Sequence, residues 1–159
     1  MPILLSGSSG ITYPNNTVGT TGNGPAFSAF LNSQQTPGAN TWTKVVFNGE
    51  EFDTNSNYDT ANSRFTPTVA GYYYFVMQVG GGPTASNLTR FYKNGSVFKE
   101  SMLNNAASAI FYGTIPLSAL IYMNGTTDYI EAYFFTASSY AIDTASRLSF
   151  FQGYLVRGA

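Results

Sequence analysis

The residues of this chain that could carry chemistry are few, and most of them are carboxylates. Glu50 and Glu51 are adjacent, with Asp53 close behind. Such a trio offers hard oxygen ligands to a cation like calcium, or one of the two carboxylates that a glycosidase sets about 5–9.5 Å apart across a sugar. It reads more simply as a solvated turn following Asn48-Gly49. No loop of the EF-hand kind surrounds it, and Asp128, Glu131 and Asp143 are isolated in sequence. Hydroxyl nucleophiles are abundant, but the chain contains no His and no Cys, so a serine or threonine would need a lysine or carboxylate as its base. Lys44, Lys93 and Lys99 fall in predicted strands or at a hairpin, with no Gly-x-Ser-x-Gly or Ser-x-x-Lys motif beside them. The expectation is a protein without catalytic residues, metal or cofactor.

Composition narrows the classes further. A chain of 159 residues fits one core-forming domain. Without cysteine it has neither disulfides nor thiolate-bound zinc. Charged residues are 9% of the total, against about 25% in ordinary domains, and the net charge is −1 with scattered cations. That argues against nucleic acid, which requires clustered positive charge. No stretch approaches the roughly 20 apolar residues of a membrane span. Met1-Pro2-Ile3-Leu4-Leu5 lacks the basic flank and long apolar core of a secretory signal, so a chain starting at this Met is not expected to be exported by the usual route. Asn87-Leu88-Thr89, Asn94-Gly95-Ser96 and Asn124-Gly125-Thr126 match the glycosylation sequon, as chance allows in a chain rich in Asn, Ser and Thr. Aromatics reach 16%, and each can bury about 150–250 Å², a content that speaks against disorder.

The elements that must position these residues are strands. Residues 1–24 are dominated by Ser, Gly, Thr and Asn, with Ile3, Leu4, Leu5, Ile11, Tyr13 and Val18 as the side chains able to bury apolar surface. They read as an attachment arm that gains order on a partner, or equally as a flexible linker. From Pro25 onward alternating runs separated by turn residues predict an all-β antiparallel sandwich, one domain over 25–159. Phe27, Ala29 and Leu31 share one face of the first strand. Thr41 to Phe47 reads as a second strand holding Trp42, with Asn48-Gly49 as a tight turn. Tyr72 to Val79 is apolar on both faces, the pattern of a central strand with core on one side and another subunit on the other. Gly80-Gly81-Gly82-Pro83 ends it. Asn94-Gly95 predicts a type I′ hairpin, Ala109 to Met123 two strands around Pro116, and Asn124-Gly125 a turn into Tyr129 to Phe135. Arg147 to Val156 is the closing strand. Among the aromatics, Tyr58, Tyr112 and Tyr140 are the candidates for exposure.

One spacing is specific. Phe47 is followed after five residues by Asp53, after four more by Tyr58 and after six more by Phe65, and five residues then precede Gly71-x-Tyr73-x-Phe75. This resembles the signature of C1q-like domains, with Met77 in place of the next aromatic as the one departure. Pro25 to Phe30 and Ser149 to Leu155 are similar to the family's first and last strands, so the resemblance covers roughly 25 to 157. It implies a C1q/tumour-necrosis-factor-like jelly roll that assembles as a tight homotrimer and works as a binding or structural module rather than an enzyme. It also implies a structural turn role for Asp53, and leaves open a calcium site at a trimer interface, since some relatives bind calcium.

Ser9 to Thr17, centred on Gly10-Ile11-Thr12, resembles a short segment that recurs in virion proteins of tailed bacteriophages. The two resemblances together lead us to expect a non-enzymatic virion-surface protein, a trimeric decoration or cement protein bound to a capsid or other virion protein through its arm. A fibre knob or receptor-binding tip contacting a host-surface glycan, or a secreted C1q-like recognition lectin, are the alternatives.

Overall fold

The computed structural model describes residues 4–6, 10–12, 18–19, 24–81, 86–104 and 113–159, of which 4–6, 10–12, 18–19, 103–104 and 113–115 are described as backbone only. Every regular element among them is a strand. Within the expected arm, β1 (Leu4–Ser6), β2 (Gly10–Thr12) and β3 (Val18–Gly19) pair antiparallel in the order β1-β2-β3, with Leu5 opposite Ile11 and Thr12 opposite Val18. Leu4, Leu5, Ile11 and Val18 therefore lie on paired strands, whereas Ile3 and Tyr13 lie outside the described residues.

The remaining strands are β4 (Ala26–Phe30), β5 (Thr43–Lys44), β6 (Gly49–Asp53), β7 (Tyr58–Asp59), β8 (Arg64–Phe65), β9 (Gly71–Gly81), β10 (Ser86–Lys93), β11 (Ser96–Asn104), β12 (Gly113–Met123), β13 (Ile130–Thr136) and β14 (Phe150–Gly158). They form two antiparallel sheets. One runs β12-β9-β14-β4-β6; the other runs β11-β10-β13-β8-β7, with β5 also on β13. Inward-facing alternate residues fill the space between them: Phe27, Phe47, Phe65, Tyr73, Phe75, Met77, Phe91, Phe134 and Phe151 are all essentially without solvent exposure. Met77, the departure from the signature, sits in this core, where an unbranched thioether packs among rings.

Local chemistry explains most boundaries. Asn94 and Gly95 both take positive φ, 53° and 76°, as the type I′ hairpin between β10 and β11 requires. Asn124 Oδ1 accepts hydrogen bonds from the amides of Thr126, Thr127 and Asp128, while Gly125 takes φ 72° to turn the chain.

Four expectations are corrected. Asn48-Gly49 is not a turn: Asn48 Oδ1 accepts from the Asn32 amide at 3.0 Å, and Gly49 opens β6 because the Phe30 ring lies where a Cβ would stand, 2.7 Å away. The acidic trio thus sits on an edge strand. Ala109 to Met123 is not two strands around Pro116; β12 runs unbroken from Gly113 through Pro116, because an edge strand can spare the amide that proline lacks. Gly80 and Gly81 do not end β9 but belong to it, Gly81 because the Tyr140 ring occupies the space of a side chain. From Thr41 to Phe47 only Thr43–Lys44 pairs as a strand.

Candidate functional site

The residues of the C1q-like spacing sit in the core or support it. Phe65 stacks on Phe27 at 4.5 Å and packs against Tyr73 and Phe75 at 5.6 and 5.7 Å. Tyr58 stacks on Phe27 at 4.9 Å and its hydroxyl donates to the Phe47 carbonyl at 2.8 Å. Asp53 closes the intervening loop, its carboxylate accepting from the amides of Tyr58 at 2.7 Å and Asn55 at 3.2 Å. A Cβ on Gly71 would stand 2.4 Å from the Arg157 carbonyl oxygen, so a bare backbone is required where β9 passes β14. Tyr58, expected at the surface, is buried; desolvation lifts its hydroxyl well above the ordinary tyrosine range. Tyr140 is half-buried against the core, its hydroxyl donating to Asn87 Oδ1 at 3.2 Å, and burial pushes its pKa up to about 12. Tyr112 lies outside the described residues.

Several of the charged groups are engaged structurally. Lys44 pairs with Glu131 at 2.6 Å, Lys93 with Asp128 at 2.8 Å, and Arg90 with Glu100. Asp143 Oδ1 accepts from the Ala145 amide at 2.8 Å. On β6, Glu51 accepts from the Ser28 hydroxyl at 2.9 Å. The Glu50 carboxyl is raised, first by desolvation and then by the charge of Asp53. No group of three His, Cys, Asp or Glu among the described residues is placed to hold a metal ion.

The two outer faces differ sharply. On β10 and β13 of one sheet the large side chains satisfy one another, the Arg90 guanidinium lying 3.8 Å from the Trp42 ring centroid, Trp42 packing on Phe135 at 5.4 Å and Tyr92 lying tilted against Tyr133 at 4.0 Å, while Val97, Phe98 and Met102 of β11 stand exposed. On the other sheet, cross-strand register sets residues in rows. Leu120, Tyr74, Tyr154 and Ala26 form one row; Ser118, Val76, Gln152, Ser28 and Phe52 the next; Pro116, Gln78, Phe150 and Phe30 a third. The middle row is built of smaller side chains, so a groove of about 390 Å³ opens across the strands, lined by Ala26, Phe52, Tyr74, Val76, Gln152 and Tyr154.

This second face stays apolar and open to water. Leu120 is 56% exposed and Phe52, Tyr154 and Val156 about half, with Tyr72 and Tyr122 close behind. Edge-on ring pairs tie it together, Tyr72 with Tyr122 at 5.5 Å and Tyr74 with Tyr154 at 6.1 Å. What such a face offers a partner is chiefly apolar area. It can exclude water: covering the exposed half of one such ring removes roughly 100 Å² and is worth about 2–3 kcal/mol, so a few rings rival the roughly 4–15 kcal/mol cost of association. Alternation in Tyr72, Tyr74 and Val76 signals the face in sequence; Phe52, Leu120, Gln152 and Tyr154 join it only through strand order.

A family model described as C1q domain matches residues 26–156. No curated protein matches the sequence. Among solved structures, the chain is similar to the globular domain of zebrafish complement 1qA protein, with 20% identity, TM-score 0.66, and 86% of this chain and 99% of that one covered. It is also similar to murine APRIL, with 9% identity, TM-score 0.66, and 84% and 99% covered. A third likeness is to Eiger TNF from S. frugiperda, with 9% identity, TM-score 0.67, and 86% and 93% covered.

Proposed function

Because the chain belongs to the C1q domain family, we propose that it acts by assembly rather than catalysis, as a homotrimer that serves as a decoration or cement protein on a virion surface. The observation that carries the trimer is the outer face of the β12-β9-β14-β4-β6 sheet, where Phe52, Tyr72, Leu120, Tyr122, Tyr154 and Val156 stand exposed side by side. Contiguous apolar surface of this kind marks an interaction site, and closed symmetry removes it from water without open-ended growth. A non-enzymatic role is supported by the ion pairing of Lys44 and Lys93, which occupies two of the three lysines that could otherwise serve as bases.

The virion assignment rests on Ser9 to Thr17 and its likeness to phage virion segments. Three arms on one trimer raise attachment strength through effective concentration. Light-scattering mass tests the first half: a trimer at micromolar concentration is expected, and a monomer refutes it. Co-sedimentation with virions lacking the protein tests the second. The full chain is expected to bind and a chain lacking residues 1–24 to remain trimeric yet bind weakly; full retention by the shortened chain refutes attachment through the arm.

A further inference from the structure

We propose that the three-stranded sheets of three arms close on one another about the threefold axis, through the face that carries Leu5, Ile11 and Gly19. Attachment is then made by one threefold plug rather than by three separate tethers. This inference rests on the trimer reading above. Within each arm, pairing sets the faces. Leu5 stands opposite Ile11 and Ile11 opposite Gly19, while Leu4 stands opposite Thr12 and Thr12 opposite Val18. Directly paired residues share a side of a sheet and neighbours along a strand alternate, so the two sets lie on opposite faces. The first face is apolar throughout, with a glycine where two backbones can come close. The second is mixed, with Thr12 and Ser6 among Leu4 and Val18.

Such a sheet does not stand by itself. Its strands hold three, three and two residues, at or below the shortest ordinarily found, and the few aliphatic residues on them do not offset the entropy of ordering the chain. Among the described residues it joins neither of the two larger sheets as added strands.

Chain length names the nearest cover. Gly24 is fixed on the sandwich: a Cβ there would stand 2.6 Å from Leu155 Cβ, and the Pro25 carbonyl accepts from the Leu155 amide at 2.9 Å. Val156, next along β14, is 52% exposed and belongs to the face that carries the trimer, so each arm leaves its subunit beside the contact between subunits. From Gly24 back to Gly19 the chain spans at most about 18 Å. Arms tethered this closely meet at an effective concentration on the order of millimolar, and threefold closure covers all three apolar faces at once without open-ended growth. The mixed face is left for the virion partner.

Cysteine cross-linking tests the closure, since the chain has no cysteine of its own. Full-length Leu5→Cys, Ile11→Cys and Thr12→Cys are treated with a short bismaleimide in the absence of virions, at a dilution where separate trimers do not react, and covalent dimers are followed on a denaturing gel. Leu5→Cys and Ile11→Cys are expected to cross-link between subunits about tenfold faster than Thr12→Cys. Subunit exchange between isotopically light and heavy trimers, read by native mass spectrometry, is expected to quicken about tenfold in Ile11→Asp, where a charge enters the closed face, and to stay unchanged in Thr12→Asp. A trimeric wild type in which position 11 reacts no faster than position 12, or reacts only once virions are added, overturns the closure and leaves the trimer standing. Exchange of Ile11→Asp at the wild-type rate does the same. A wild type that is monomeric by light scattering overturns both.

Discussion

Replacing Phe75 by Ala should cost about 4 kcal/mol, and a second substitution should return part of it. Phe75 is fully buried, with ring contacts to Phe27, Phe65, Tyr73, Phe91 and Phe151 at 5.7 to 6.4 Å between centroids. Phe→Ala in a core ordinarily costs about 3–5 kcal/mol, more where the site cannot collapse. Here Phe75 lies directly on the backbone of β14: a Cβ on Gly153 would stand 2.6 Å from Phe75 Cδ1 and 3.0 Å from Cε1. The vacated space therefore borders a residue with no side chain to lean into it. In the wild type, Gly153→Ala forces that close contact and should cost about 1–3 kcal/mol by overpacking.

In the Phe75→Ala background most of the obstruction is gone, although Phe27 Cε1 remains 3.1 Å from the added Cβ. The double variant should then be at least about 1 kcal/mol more stable than the sum of the single costs. Urea unfolding at one fixed protein concentration, followed by fluorescence of the single Trp42, measures all four corners of the cycle. Each kcal/mol corresponds to a melting shift of about 2–4 °C for a chain of this size. Strict additivity, or a Phe75→Ala cost below about 1 kcal/mol, would refute the placement of Phe75 against Gly153.

Three further outcomes are expected. Glu50→Ala should leave the melting temperature within about 2 °C of wild type, since an exposed edge carboxylate contributes no more than about 0.5 kcal/mol; a loss matching that of Phe75→Ala would reverse the assignment of core and surface. Tyr58→Phe should cost about 1–3 kcal/mol by leaving the buried Phe47 carbonyl without its donor, whereas an unchanged denaturation midpoint would contradict the hydrogen bond. Desolvation works to raise the Asp128 carboxyl, but hydrogen bonds from Lys93, Asn94 and the Asn124 amide, with the Lys93 charge, bring it below 3.8. A depressed carboxylate lends stability that is complete above its unfolded value and is lost as pH falls through the folded one. Asp128→Asn should therefore cost about 1.5–3 kcal/mol near neutrality and flatten the fall in stability below pH 3.8; an unaltered acid limb would show that Asp128 does not contribute to it.

The fold class was legible because burial acts through local periodicity. Alternation at Phe27, Ala29 and Leu31, and at Tyr73, Phe75, Met77 and Val79, marks the inward faces directly, and those residues form the core. Asn94-Gly95 announced its hairpin because positive φ is a property of single residues. What misled was chemistry decided from a distance. Asn48-Gly49 has turn composition, yet Asn32 and the Phe30 ring hold it in extended chain. Tyr58 has polar neighbours in sequence, yet a carbonyl eleven positions away and the Phe27 ring take it inside.

The amino-acid order alone determined which residues are apolar, where strands alternate and where the chain can reverse, since these depend on side-chain type and on interactions between near neighbours. Strand order and register required the tertiary structure. They bring Leu120, Tyr74, Tyr154 and Phe52 from four strands onto one face and leave a groove between rows. These neighbours come from strands tens of residues apart, and alternation within one strand marks its inward face without naming its partner.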